Sequence, residues 1–397
     1  MKKRMLIVYP NNFLQGMQGT NTRVYELVKI FKELDYTIDF LGYENFTPDS
    51  SFQNFDELNK DKLIENLYIY DFHKPIENGK NIFIEKIKNK LERKKNLRLL
   101  QDWVPLGAKR LFDKITNENE YDVVILFYTY LANLLKDKQD SKYKKVYFME
   151  DSMFLQQYTW DKDSIKNISL GKLMDEEIER LNYFDEYFCI SYDEKLLYEK
   201  LTGKIMSFLP HLSDRKIKEA KVQKPLNERK WDVFFIGFNN PFNVEGLNWF
   251  LEEVYPYLDK NLKILLVGSA TQNIKVSYSN IDIIQFAPDL DEIFENVKVS
   301  ICPMFRGTGM KIKVVESMER GIPVVCNERG VDGFPDKTEC GCLVTQKPRK
   351  FAEYINILVK DEKYYKERSN QIKLYYNKIF KREDNKNLIR GVLENDE

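Results

Sequence analysis

Histidine is almost missing from this chain: His73 and His211 are its two examples in 397 residues. That leaves little material for imidazole chemistry or for a histidine-rich metal site. Cysteine is scarce as well. Cys189, Cys302, Cys326, Cys340 and Cys342 are odd in number and scattered. The pattern argues against a disulfide framework and for a reducing, cytoplasmic setting. Cys340-Gly-Cys342 offers two thiolates, short of the four ligands of a structural zinc site, and no metal is expected. Net charge is absent, with 62 basic against 62 acidic residues, so the excess of a nucleic-acid binder is not there. No apolar run approaches the ~20 residues of a membrane span. The run at residues 5–9 is too short for a signal peptide, and Pro10-Asn11-Asn12 follows it without a small-residue cleavage site. No G-x-G-x-x-G occurs, which weighs against a nicotinamide-dependent dehydrogenase.

What is present is a long alternation of short apolar runs and helical patterns. The spacing predicts strands at residues 5–9, 37–41, 67–70, 123–127, 145–148, 186–190 and 205–208. Between the first two, Val24, Leu27, Val28, Phe31 and Leu34 recur at helical spacing. Strand, loop, helix, strand implies a parallel sheet with right-handed crossovers. Residues 210–230 turn Lys- and Glu-rich and read as a linker. A second series follows, with strands at 232–236, 263–267, 281–284, 297–302 and 322–326 and helices at 244–258, 290–296 and 310–320. Helical segments at 348–360, 362–380 and 384–394 close the chain. The expected organisation is α/β: a Rossmann-like domain at 1–209, the linker, and a second Rossmann-like domain at 231–376, with a cleft between the two.

In the first half, the loop at residues 11–20 carries Gly16 and Gly19, and Arg23 lies in the first turn of the helix after it. Arg23 reads either as a solvated side chain or as a contact to an anionic ligand. The stretch from Lys80 to Arg98 is strongly basic, with Phe83, Ile87 and Leu91 along one side. It reads either as a solvated helix or as one resting on an anionic membrane surface, a possible peripheral contact.

The densest signal lies between Ser300 and Gly333. An apolar strand ends at Pro303, and Arg306-Gly307-Thr308-Gly309 follows as a loop able to bring amides close to a ligand. A helix is predicted from Met310, carrying Lys311, Lys313 and Glu316, and Gly321 ends it. Strand, glycine loop and helix N-terminus make an anion site in parallel α/β proteins. Lys313 and Glu316 are three apart and share a helix face, whereas Lys311 and Lys313 do not. A carboxylate there can accept ribose hydroxyls while loop amides and a lysine hold a diphosphate. The alternative is a surface Lys–Glu pair worth a few tenths of a kcal/mol, roughly.

The string R-G-T-G-M-K-I-K-V-V-E-S-M-E-R-G-I-P-V-V resembles the nucleotide-sugar motif of family-4 (group 1) glycosyltransferases. Val233-Phe-Phe-Ile-Gly237-Phe with Asn243-Val-Glu-Gly-Leu-Asn-Trp-Phe resembles the opening strand, loop and helix of their C-terminal domain. Pro288-Asp-Leu-Asp-Glu-Ile-Phe and Gly330-Val-Asp-Gly-Phe flank the motif as they do in relatives. The resemblance is good over about residues 230–345 and covers the N-terminal half in outline. It implies the GT-B fold, a nucleotide-sugar donor on the C-terminal domain, and a glycan, lipid-linked or protein acceptor on the N-terminal one. It further implies retaining transfer and a last helix, within residues 377–397, that crosses back to the first domain. The candidate donor-site residues are then Gly19, Arg23, Gly237, Arg306, Gly307, Thr308, Gly309, Met310, Lys311, Lys313 and Glu316.

The sequence departs from the family at three places. Thr308 stands where relatives commonly carry the first of two glutamates, so loop amides and its hydroxyl are the candidates for that role. Residues 238–242 replace an Arg and a Lys that bind diphosphate in many relatives. Neither histidine matches the one found in many N-terminal domains, and Asp151, beside Glu150 just past a strand end, is the nearest polar candidate. Asp161-Lys-Asp163 and Asp289-Leu-Asp291 have the D-x-D spacing that holds a metal in another glycosyltransferase fold, but Asp289 stands where a helix cap is wanted. The expectation is a metal-independent retaining glycosyltransferase of bacterial surface glycan synthesis. A GT-B epimerase and a non-catalytic scaffold subunit are the alternatives.

Overall fold

The structure is a computed structural model that describes residues 3–15, 19–47, 50–74, 99–161, 169–212, 224–274, 278–287 and 290–394. The basic stretch from Lys80 to Arg98, Gly16, Asp163, Asp289 and residues 213–223 of the expected linker lie outside them.

The chain divides into two compact units, Met1–Ser213 with Arg382–Glu397, and Asp214–Lys381. The first is built on seven strands: β1 (Arg4–Val8), β2 (Thr37–Glu44), β3 (Asn66–Asp71), β4 (Val123–Leu126), β5 (Lys144–Met149), β6 (Glu186–Cys189) and β7 (Ser207–Phe208). Their spatial order is β3-β2-β1-β4-β5-β6-β7, and every pairing is parallel. Parallel sheets need both faces covered, which is why the strands read as near-continuous apolar runs. Alternate side chains of β1 go to opposite cores. Met5 and Ile7 pack with Val24, Val28 and Phe31 of the Gly19–Glu33 helix, while Leu6 and Val8 pack with Phe112 and Ile115 of the Leu106–Glu118 helix.

The last helix, Arg382–Glu394, belongs to the first unit. Ile389 and Leu393 enter the core of the first helix. Arg382 makes a two-pronged pair with Glu33 at 2.7 and 2.8 Å, and Lys144 Nζ donates to the carbonyls of Val392 and Leu393 at 3.0 and 3.4 Å.

The second unit has six strands: β8 (Trp231–Ile236), β9 (Ile264–Val267), β10 (Ile281–Ile284), β11 (Val297–Cys302), β12 (Val324–Cys326) and β13 (Leu343–Val344). Their order is β10-β9-β8-β11-β12-β13, again all parallel. These are two Rossmann-like α/β units, each with one reversal of winding: between β1 and β4 in the first, between β8 and β11 in the second.

Three elements differ from the sequence expectation. The helix after β8 starts at Pro241, three residues early, and runs to Trp249 before a π turn over Phe250–Val254. Asn240 caps it by accepting from the Asn243 amide, and Pro241 fits the first turn. The motif helix is Ile312–Glu319, two residues later than expected, so Met310 and Lys311 lie in the loop. The short strand β13 has too little sequence to show a period.

Candidate functional site

Ligands of open α/β sheets bind outside the carboxyl ends of the strands where the winding reverses. In the second unit that place lies between the loops leaving β8 and β11. Three glycines bring the backbone together there. A Cβ on Gly246 would stand 2.3 Å from the Pro303 carbonyl oxygen, so the Pro241–Trp249 helix lies directly against the end of β11. A Cβ on Gly268 would meet the Gly237 carbonyl oxygen at 2.3 Å. Gly237 itself donates its amide to Val267 at 3.0 Å and accepts from Ala270 at 3.1 Å. It therefore contributes close approach and not a donor.

The loop after β11 needs its glycines: Gly307 has φ +109° and Gly309 has φ +67°, which other residues rarely adopt. Lys311 staples this loop. Its ammonium donates to the carbonyls of Thr308 and Gly309, both at 3.0 Å, and the residue is buried. Met310 is buried in the same loop and is not the first helical residue. Arg306 is half exposed and turned onto the Pro241–Trp249 helix, with Nε 2.9 Å from Glu245 and its guanidinium 5.7 Å from the Phe242 ring. Thr308 is partly exposed.

On the motif helix, Val314, Val315, Ser317 and Met318 face the core. Lys313 and Glu316 share the face left partly exposed. Lys313 Nζ donates to Asn243 Oδ1 at 2.7 Å and lies 5.0 Å from the Phe235 ring. Asn243 Nδ2 in turn donates to the Phe238 carbonyl at 2.9 Å. Burial of its ammonium holds the Lys313 pKa below the usual lysine value, and neighbouring Lys311 acts in the same direction. The acceptors of the two ammonium groups are a side-chain amide and two carbonyls, all neutral. A positive centre whose ammonium groups donate to neutral oxygens, beside a helix N-terminus, is suited to a multivalent anion.

The first unit places its candidates differently. Gly19 is the first residue of the Gly19–Glu33 helix. The expected anion contact at Arg23 is corrected: its guanidinium is 1% exposed and committed inside the protein. Nε meets Glu150 Oε1 at 2.6 Å, and the two terminal nitrogens donate to the carbonyls of Pro210 and Leu209, each at 2.7 Å. Glu150 is thereby the internal counter-ion, while Asp151 is partly exposed and accepts from Gln156 at 3.2 Å. The structure thus brings Arg306, Lys311, Lys313 and Glu316 onto one loop and helix and leaves Gly19, Arg23 and Asp151 in the other unit. From the sequence, Asn243 and Glu245 have no site role and their helix starts at residue 244. The Asn240-Pro241 pair, a cap followed by a first-turn proline, is the signal that places the start at Pro241 and so includes Asn243.

Residues 230–361 match the family described as glycosyl transferases, group 1. A curated relative, an uncharacterized 44.6 kDa protein in the cps region of Klebsiella pneumoniae, is 24% identical over 248 residues. That match spans 55% of this chain and 61% of the relative. Among solved structures, TarM superposes with a TM-score of 0.69 at 10% identity, covering 100% of this chain and 99% of TarM. Sucrose-phosphate synthase from Thermosynechococcus elongatus gives 0.67 at 12% identity, covering 99% and 98%. Anabaena HepE, solved with UDP and glucose, gives 0.64 at 12% identity, covering 99% of each chain. Similarity at this level carries the fold. Residues 230–361 thus match a group 1 glycosyltransferase domain, in a chain whose fold is the two-Rossmann architecture of GT-B structures.

Proposed function

We propose that this protein transfers a sugar from a nucleotide-sugar donor to an acceptor hydroxyl, with retention of configuration, in the synthesis of a bacterial surface glycan. The observation that carries the reading is the pair Lys311 and Lys313, whose ammonium groups donate to two carbonyls and a side-chain amide at the reversal of the second sheet. A diphosphate fits that centre, and its departure from the sugar is the step such a centre assists. Glu316, one turn beyond Lys313, is assigned to the ribose hydroxyls. The Thr308 hydroxyl and the loop amides of residues 307–309 are assigned to the donor sugar and phosphates, and Asp151 to the reacting groups. Since lysines and a helix N-terminus neutralise the leaving group, the reading requires no metal. The presence of UDP and glucose in HepE and the cps region of the Klebsiella relative support the donor class and the pathway. The acceptor is a glycan, a lipid-linked precursor or a protein, met on the cytoplasmic side.

In the transfer the acceptor oxygen forms its bond to the anomeric carbon on the face the diphosphate leaves. The acceptor proton passes to the departing phosphate oxygen, so no protein nucleophile is needed. Positioning and leaving-group stabilisation carry the rate.

Calorimetric titration with UDP, ADP and GDP, comparing wild type with Glu316→Ala, tests the site. The expected outcome is a loss of affinity of about tenfold or more for the diphosphate that binds. The melting temperature should stay unchanged, because Glu316 is not in the core. Unchanged affinity in the variant would remove Glu316 from the site.

A further inference from the structure

The contacts of Asn243 link three parts of the second unit. Its backbone amide is held by Asn240 Oδ1 at 2.9 Å at the start of the Pro241–Trp249 helix. Its side-chain amide nitrogen donates to the Phe238 carbonyl in the loop after β8. With the amide nitrogen turned to Phe238, Oδ1 is the side-chain atom presented to the motif helix, and as an amide oxygen it accepts, here from Lys313 Nζ at 2.7 Å. Asn243 is 5% exposed, so the arrangement cannot relax into solvent. An acceptor of this kind fixes the direction of an ammonium group without cancelling its charge. An aspartate of the same shape would cancel it.

We infer that Asn243 is a positioning residue for the proposed diphosphate: it aims Lys313 from the neighbouring helix and leaves its positive charge to be neutralised by the ligand. This rests on the diphosphate reading above and adds to it the reason for an amide at this position. The site is thereby kept complementary to a multivalent anion and poorly matched to an uncharged sugar. Among the described residues, the titratable groups that act on the Lys313 ammonium are Lys311 from the loop and Cys302 from β11, and Glu316 shares its helix face. Burial pushes the Cys302 thiol above its usual value, so it brings no thiolate to the ammonium near neutral pH.

An ammonium aimed in this way leaves a proton signature on binding. With its pKa below the usual lysine value, Lys313 loses its proton on the alkaline side sooner than an ordinary lysine. A bound diphosphate favours the charged form and raises that pKa again. Binding therefore takes up protons at alkaline pH, and affinity falls as pH rises through the ligand-free pKa.

Inorganic pyrophosphate and UDP are the probes, titrated by calorimetry in two buffers of different ionisation enthalpy across pH 7–10, roughly the span below the lysine reference value. Wild type is expected to bind both with proton uptake that grows with pH. Asn243→Asp should bind pyrophosphate at least about tenfold more weakly and lose the uptake, because the carboxylate holds Lys313 charged beforehand. Asn243→Ala keeps the site neutral and loses only the aim, so a smaller loss with uptake retained is expected. Thermal unfolding of each variant checks that it is folded. Asp and Ala variants with equal losses and unchanged uptake would overturn the inference and leave Asn243 a merely structural residue. Wild-type affinity in Asn243→Asp would overturn it too. A wild type that binds neither probe would instead refute the diphosphate reading on which it rests.

Discussion

The two sheets have the same winding, yet they treat a cation near their ligand edge in opposite ways. In the first unit Arg23 is neutralised from within: Glu150 supplies the charge and two backbone carbonyls complete the fork. In the second unit Lys311 and Lys313 lie beside one another and donate to amide and carbonyl oxygens, with no carboxylate acceptor for either ammonium among the described residues. A buried charge has to be compensated by something. Where the protein provides the counter-ion, the residue is a clamp, here fixing the exit of β7 to the first helix and the end of β5. Where no such counter-ion is at hand, as at Lys311 and Lys313, the charge fits the proposed role of holding an anionic ligand. The partner's charge, more than the identity of the basic residue or its nearness to a glycine loop, separates the two cases.

The largest expected effect comes from breaking the compensated side. Glu150→Ala leaves the Arg23 guanidinium buried without its carboxylate and should destabilise the protein by about 3–5 kcal/mol. Chemical denaturation followed by a probe in the first unit measures it, and a loss near zero would mean the pair is not the clamp described. The intermediate effect comes from the uncompensated side. Lys313→Met removes a desolvated charge that no protein carboxylate balances, so stability should hold or rise while nucleoside diphosphate affinity falls by about 2 kcal/mol, some thirtyfold. Loss of stability without loss of affinity would reverse the contrast between the units. The smallest effect is expected at a cation paired at the surface. Arg382→Ala breaks the forked contact to Glu33 on the outside of the first unit and should cost about 1 kcal/mol or less, with the cost shrinking as salt is added.

The alternating α/β pattern was legible because strands such as β1, β4 and β9 are near-continuous apolar runs and helices such as Gly19–Glu33 keep an apolar stripe. The motif loop was legible because Gly307 and Gly309 are set close together between a strand and a helix. The fate of Arg23 was not, because its partners lie 127, 186 and 187 residues away along the chain and only the assembled sheet brings them together. The start of the motif helix was misplaced by two residues because its cap position is Lys311, which offers no side-chain oxygen and so leaves no mark in the sequence. The role of Asn243 was not legible for a different reason: its acceptor atom meets Lys313, 70 residues on, and only the assembled sheet sets the two helices side by side.

The return of the Arg382–Glu394 helix to the first unit has a consequence for the order in which the molecule is made. Ile389 and Leu393 are wall residues of a core whose other members, such as Ile7 and Phe31, are synthesised first. On the ribosome the second unit can therefore finish folding while the first still waits for its last wall. A premature stop shortly after Lys381 would leave the second unit whole and open a greasy slot in the first. Quality control would then meet its damage in the part of the protein that was translated earliest.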